Sequence, residues 1–131
     1  MVVDSSALVA IILQENERAV FEDMILREPA AVMSVASLLE VTITLLGRRR
    51  DADAARLEET LSILTISAHD VDLQQGILAR QAFMRFGRGR HPAALNFGDC
   101  FAYALAKARN EPLLFKGDDF PKTDIVPAWQ P

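Results

Sequence analysis

Short apolar runs alternate with longer segments of helical periodicity along the whole chain, and this alternation limits the fold more than any other feature. Met1–Asp4, Ala31–Val35 and Leu113–Phe115 are the clearest strand candidates. Leu64–Ile66 is a weaker one, and Ile125–Val126 a short last one. Between them lie segments that read as helices. Ser5–Leu13 has Asp4 or Ser5 as its N-cap. Asn16–Arg27 carries Val20, Met24 and Ile25 at helical spacing and stops before Pro29. Ser37–Arg48 reads as a mostly buried helix closed by Gly47, and Asp53–Leu64 as an amphipathic one. Asp70–Phe86 runs into Gly87 and Gly89, and Phe97–Arg109 follows Asn96 as a cap. Strands and helices in alternation predict an α/β domain with a parallel sheet covered on both faces. Ligands of such sheets collect beyond the carboxyl ends of the strands. Asp4 ends the first strand and Asp118 and Asp119 follow a later one, so both places belong to one sheet edge.

The 131 residues fit one domain, residues 1–131, large enough to bury a core. Half the residues are hydrophobic and 24% are charged, a globular profile. Cys100 has no partner for an internal disulfide, which suits a reducing, cytoplasmic compartment. The first apolar run breaks at Gln14 and has no basic segment before it, so neither a membrane span nor a secretory leader is expected.

Acids in apolar company carry the chemistry. Asp4 follows Met1-Val2-Val3, and Glu40 sits within Ser37-Leu38-Leu39-Glu40-Val41-Thr42-Ile43. Asp99 opens an apolar helix, and Asp118-Asp119 follow Leu113-Leu114-Phe115-Lys116-Gly117. Carboxylates are rarely buried unless paired or bound to a metal. No lysine or arginine lies within a helical turn of Glu40. Ser37, Glu40 and Thr44 fall on one stripe of an otherwise apolar helix, and a hydrated Mg²⁺ or Mn²⁺ suits such oxygen donors. Each acid alone also has an ordinary use. Asp4 suits a helix cap, Asp99 with Asn96 a capping box, Glu40 a bond to neighbouring hydroxyls, and Gly-Asp-Asp a turn. Phe101, Tyr103 and Cys100 read as core.

These motifs resemble those of the PIN-domain ribonucleases, and within them the VapC toxins of bacterial toxin–antitoxin pairs. The resemblance rests on Val2-Val3-Asp4-Ser5-Ser6-Ala7-Leu8, Ser37-Leu38-Leu39-Glu40-Val41, Leu95-Asn96-Phe97-Gly98-Asp99-Cys100-Phe101-Ala102 and Pro112-Leu113-Leu114-Phe115-Lys116-Gly117-Asp118-Asp119-Phe120, in order along essentially the whole chain. It implies a PIN-like fold, a central parallel sheet of four to five short strands flanked by helices. It also implies an acidic quartet that binds one or two Mg²⁺ or Mn²⁺ ions and hydrolyses RNA to a 5′-phosphate and a 3′-hydroxyl. By position Asp4, Glu40 and Asp99 match the first three acids. Asp4 and Asp99 become the primary ligands, with Glu40 on a second ion or a water. Ser6 matches the hydroxyl residue that accompanies the first acid. Ser5 stands where threonine is common, a change expected to be neutral.

The fourth acid is less direct, because Gly117 occupies the place where many relatives carry it. Asp118 is the expected fourth acid and Asp119 the alternative, with Asp119 expected to cap the following turn. Gly117 can take a positive φ to aim that loop. The net charge of −4 argues mildly against a nucleic-acid partner, but Arg48–Arg50 and the group Arg85, Arg88, Arg90 are local basic clusters. Arg85, Arg88 and Arg90 are candidates to grip the RNA backbone, or else solvated helix ends. The resemblance further implies a homodimer, a VapB-type antitoxin partner and a transfer or ribosomal RNA target. The apolar surface of the Asn16–Arg27 and Asp53–Leu64 helices also suits a dimer. The rival readings are a catalytically inactive PIN-like interaction module and another Mg²⁺-dependent phosphohydrolase of the haloacid-dehalogenase type. The second of these lacks its Asp-x-Asp pattern at Asp4-Ser5-Ser6.

Overall fold

The computed structural model describes all residues, Met1–Pro131. Four short strands form one parallel sheet: β1 (Val2–Val3), β2 (Ala31–Ser34), β3 (Ile66–His69) and β4 (Leu113–Leu114), in the order β3-β2-β1-β4. Val2 is in register with Val32 on one side and Leu113 on the other, and Ala31 with Ile66. Seven helices cover the sheet: α1 (Ser5–Ile12), α2 (Arg18–Arg27), α3 (Val35–Gly47), α4 (Asp51–Ala55), α5 (Leu57–Ile63), α6 (Leu73–Phe86) and α7 (Phe97–Arg109). The expected α/β architecture is therefore present.

Alternation along the strands divides the core in two. Val3, Met33 and Leu114 face α1, α2, α3 and α5, together with Phe21, Ile25 and Leu45. Val2, Val32 and Leu113 face α6 and α7, together with Ala82, Leu105 and Tyr103. Each residue of these strands is buried because both faces are covered, except on β3, where Ser67 and Ala68 are exposed at the sheet edge.

Several local expectations shift. The third strand lies at Ile66–His69 rather than Leu64–Ile66, because Thr65 takes a left-handed φ of 55° that ends the preceding helix. That helix is two pieces, α4 and α5, broken at Arg56. On α2 it is Phe21 and Ile25 that reach the core, while Val20 stays exposed. The segment Ile125–Val126 is not a strand, although Leu113 N–H donates to the Val126 carbonyl and Ala128 N–H to that of Leu113, closing a bridge to Pro127. The largest departure is α3. Only Ser37, Val41 and Leu45 are buried on it, while Val35, Leu39, Ile43 and Leu46 form an exposed apolar stripe. The turn after α3 is made by Arg49, at φ 57°, and not by Gly47.

Candidate active site

Because all four strands run the same way, their carboxyl ends share one edge, and a cavity of about 490 Å³ opens there. It is lined mostly by polar groups, among them Asp4, Glu40, Asp99 and Asp119. Each acid arrives by a different local device. Asp4 is the N-cap of α1: its Oδ2 accepts from Ser6 N–H at 3.0 Å and from Ser6 Oγ at 2.6 Å. Asp99 closes a capping box on α7. Asp99 N–H donates to Asn96 Oδ1, and Asn96 N–H to Asp99 Oδ2, each at 2.9 Å. The ordinary capping uses of Asp4 and Asp99 thus hold in full, and they aim both carboxylates into the cavity. Glu40 comes from the middle of α3 and accepts a hydrogen bond from Ser5 Oγ. Asp119 enters from the β4 loop, after Gly117 at φ 115°.

Electrostatics set this cavity apart. Asp4 is almost wholly buried, and burial pushes its carboxyl up to about 6, against the lowering effect of the Ser6 bonds and with help from Glu40. Burial also pushes Asp99 up to about 7, opposed by the Asn96 N–H and reinforced by the charges of Asp4, Glu40 and Asp119. Asp4 Oδ1 is buried without any hydrogen-bond partner. A buried carboxylate oxygen left bare is costly unless a cation or a proton meets it. No set of three His, Cys, Asp or Glu side chains is close enough to form a ready cage by itself. Mg²⁺ rarely needs one, since it keeps several waters and binds through one or two carboxylates. The donor set is all oxygen, which fits a hard divalent ion.

Asp118 does not join the cluster. It faces a separate cavity shared with Glu17, Pro121 and Trp129. The positive φ at Gly117 does turn the chain, but the turn is phased so that the second aspartate looks inward and the first outward. Asp119 makes no side-chain cap to the 3₁₀ turn Phe120–Lys122, so the capping duty expected of it is not performed. Phe120 anchors the loop beneath, packed on Phe115 with ring centroids 5.1 Å apart.

The expected basic residues are elsewhere too. Arg85 pairs with Asp124 at 3.5 Å beside Tyr103, Arg90 Nε donates to the Met84 carbonyl, and none of Arg85, Arg88 or Arg90 lines the acidic cavity. The cations on its wall are Arg48 and Lys116. Arg48 extends the stripe of Ser37, Glu40 and Thr44 by one more turn, a signal present in the sequence. Lys116 is drawn toward Glu15 at 2.6 Å and Glu17 at 3.0 Å, which leaves the acids unneutralised. Ser5, expected to be neutral, holds Glu40 directly. Cys100 and Tyr103 are core as expected, whereas Phe101 is half-buried on an apolar cavity between α6 and α7.

Comparison with known proteins identifies the family and the fold. The family model described as PIN domain matches residues 1–126. A ribonuclease VapC of Mycolicibacterium smegmatis is 43% identical over 126 residues, covering 96% of this chain and 98% of that protein. Ribonuclease VapC30 of Mycobacterium tuberculosis is 40% identical over 126 residues, with 96% of each chain covered. The crystal structure of Mycobacterium tuberculosis VapC20, a sarcin-ricin loop cleaving toxin, superposes with a TM-score of 0.71 over 95% of both chains at 18% identity. Four parallel strands, acids gathered at their carboxyl edge and a match over nearly the full length together mean that the chain belongs to the PIN-domain family and, within it, to the VapC ribonucleases.

Proposed function

We propose that this protein is a divalent-metal-dependent endoribonuclease that hydrolyses RNA phosphodiesters as the toxin of a toxin–antitoxin pair, with Asp4, Glu40, Asp99 and Asp119 holding Mg²⁺ or Mn²⁺. The observation that carries it is the convergence of these acids on one cavity in which Asp4 Oδ1 is buried and unpartnered. The names of the VapC relatives support ribonuclease activity. When bound, one or two divalent cations supply an acidified water and neutralise charge on the phosphodiester. The chain's own groups prepare the site. Ser6 holds one Asp4 oxygen through its N–H and hydroxyl and leaves the other free. Lys116 N–H in turn donates to Ser6 Oγ at 3.0 Å, which ties the Asp119 loop to the Asp4 cap. Asn96 orients Asp99, and Ser5 orients Glu40. Burial raises the carboxyls of Asp4 and Asp99, and a cation entering the cavity would favour their charged forms. Arg48, on the cavity wall and in no ion pair, is the cation there available to RNA phosphates, since Lys116 is engaged by Glu15 and Glu17.

Partners follow from surfaces beside the site. The exposed stripe Val35, Leu39, Ile43 and Leu46 lies on the helix that carries Glu40 and suits an apolar antitoxin segment. Such a segment would inhibit most simply by bringing an arginine to the acids. The apolar surface of α6 and α7, with Phe83, Met84 and Phe97 exposed, suits a second copy in a homodimer. The α2 and α5 helices, with Val20, Leu26 and Ile63 exposed, offer a second such surface. No helix is long and apolar enough to cross a membrane. A cytoplasmic location belongs to the same proposal.

The test is cleavage of total cellular RNA by metal-stripped protein with Mg²⁺ or Mn²⁺ restored, followed by sequencing of the new ends. Cleavage only with the ion, giving 5′-phosphates, is the expected result. Equal cleavage in excess EDTA would sink the metal mechanism.

A further inference from the structure

We propose that Gly98 is a positioning residue that fixes where the Glu40 carboxylate stands, and that it does so by lacking a side chain. The inference rests on the reading of Glu40 as one of the cation-holding acids. Gly98 is the second residue of α7, immediately before Asp99. Its backbone lies outside the left-handed region, unlike Gly89 and Gly117, so no turn requires glycine there. Helical glycine costs stability relative to alanine, and the position demands another reason. A Cβ on Gly98 would overlap Glu40 Oε2 and crowd Glu40 Cδ, whereas Gly47 and Gly76, the other helical glycines, have open space.

The colliding atoms are the far end of a flexible side chain. The fold therefore absorbs an alanine by swinging Glu40 away, and the site bears the consequence. That swing breaks the hydrogen bond that the other Glu40 carboxylate oxygen accepts from Ser5 Oγ at the start of α1. The carboxylate is held from two sides, by a hydroxyl on α1 and by the bare Cα of α7. Gly98 thereby lets α3 and α7 bring Glu40 and Asp99 into one cavity.

Gly98→Ala, Ser5→Ala, Glu40→Gln, the double variant Gly98→Ala/Glu40→Gln and the control Gly76→Ala separate the possibilities. The readouts are Mn²⁺ titration calorimetry, metal-free melting and cleavage of total cellular RNA. Gly98→Ala is expected to weaken Mn²⁺ binding and cleavage by about tenfold or more. Its metal-free melting temperature should stay within about 3 °C of wild type or rise. Ser5→Ala should move binding in the same direction by a few-fold, Gly76→Ala should leave binding and cleavage unchanged, and the double variant should be no worse than Glu40→Gln alone. Wild-type binding and cleavage in Gly98→Ala, with both lost in Glu40→Gln, would overturn the positioning role and leave the acid assignment standing. Silence of Glu40→Gln in both assays would overturn the two together. Multiplicative losses in the double variant, or a fall in melting temperature of more than about 10 °C in Gly98→Ala, would also overturn it, since Gly98 would then act other than through Glu40.

Discussion

Two clusters of charge in this molecule treat a carboxylate in opposite ways. At the sheet edge, burial pushes up both Asp4 and Asp99, Glu40 adds to the rise at Asp4, and Asp4, Glu40 and Asp119 add to it at Asp99, while Lys116 is engaged by Glu15 and Glu17. Between α6, α7 and the C-terminal segment, Asp124 meets some burial too, but its partners outweigh it. Tyr103 donates to it at 2.7 Å, Lys107 stands at 3.0 Å and Arg85 at 3.5 Å, and its carboxyl is held below the usual range. The same interaction raises the Tyr103 hydroxyl, after burial has already done so. A carboxylate that serves the fold is neutralised by the fold. The acids of the sheet-edge cavity are left without such partners, and the difference is visible in which cations the chain brings near. Arg85 illustrates the point, since it is a plausible RNA contact by sequence and a tether for Asp124 in the folded chain.

The contrast breaks first at the acids themselves. Asp4→Asn or Asp99→Asn should lower RNA cleavage by about 100-fold or more, the scale of losing a preorganised electrostatic group. Neither should destabilise the metal-free protein, because removing one like charge relieves the others. Parallel turnover and melting measurements check both halves, and a stable variant with wild-type turnover would end the comparison. The next effect sharpens the loop. Asp119→Asn should cost about tenfold or more in cleavage and weaken Mn²⁺ binding, while Asp118→Asn should leave both unchanged. The reverse pattern in calorimetry would show that the loop moves on binding.

A pH series reads the same contrast thermodynamically. Asp4 has a folded value raised above its unfolded one, from 3.8 to about 6. The stability it allows is therefore fully present below pH 4 and is lost as pH rises through about 6. The loss is on the order of 3 kcal/mol for Asp4. Metal-free protein should accordingly melt at a lower temperature at pH 8 than at pH 5, and saturating Mn²⁺ should flatten the trend. A metal-free melting temperature that rises across that range would contradict the raised values. The smallest effect belongs to the satisfied cluster. Tyr103→Phe should cost about 1 kcal/mol of stability through one lost hydrogen bond and leave cleavage intact, as denaturant titration and an activity assay can show.

Much of this was legible beforehand, and for local reasons. The helix caps at Asp4 and Asn96 depend on two to four consecutive residues, and both form as their sequences suggest. The strand candidates β1, β2 and β4 are apolar runs bounded by turns, and all three pair. By contrast, β3 is not legible in the sequence, because Ser67-Ala68-His69 carries little apolar signal at an edge where one face meets water. The stripe on α3 is exposed although its sequence reads as buried, because an apolar side chain carries no mark of whether a partner is present in the same chain.

By itself, then, the sequence determined the α/β alternation, three of the acids that line the cavity and the devices that hold two of them, because each depends on spacing within a turn or two of chain. Only the tertiary structure decided that Asp119 and not Asp118 faces the cavity, that Arg85 is engaged by Asp124, and that Glu40 lies against Gly98. The phase of a loop depends on where both its ends are anchored. Likewise, a contact between α3 and α7 depends on how two helices distant in sequence are turned about their own axes by the core they share.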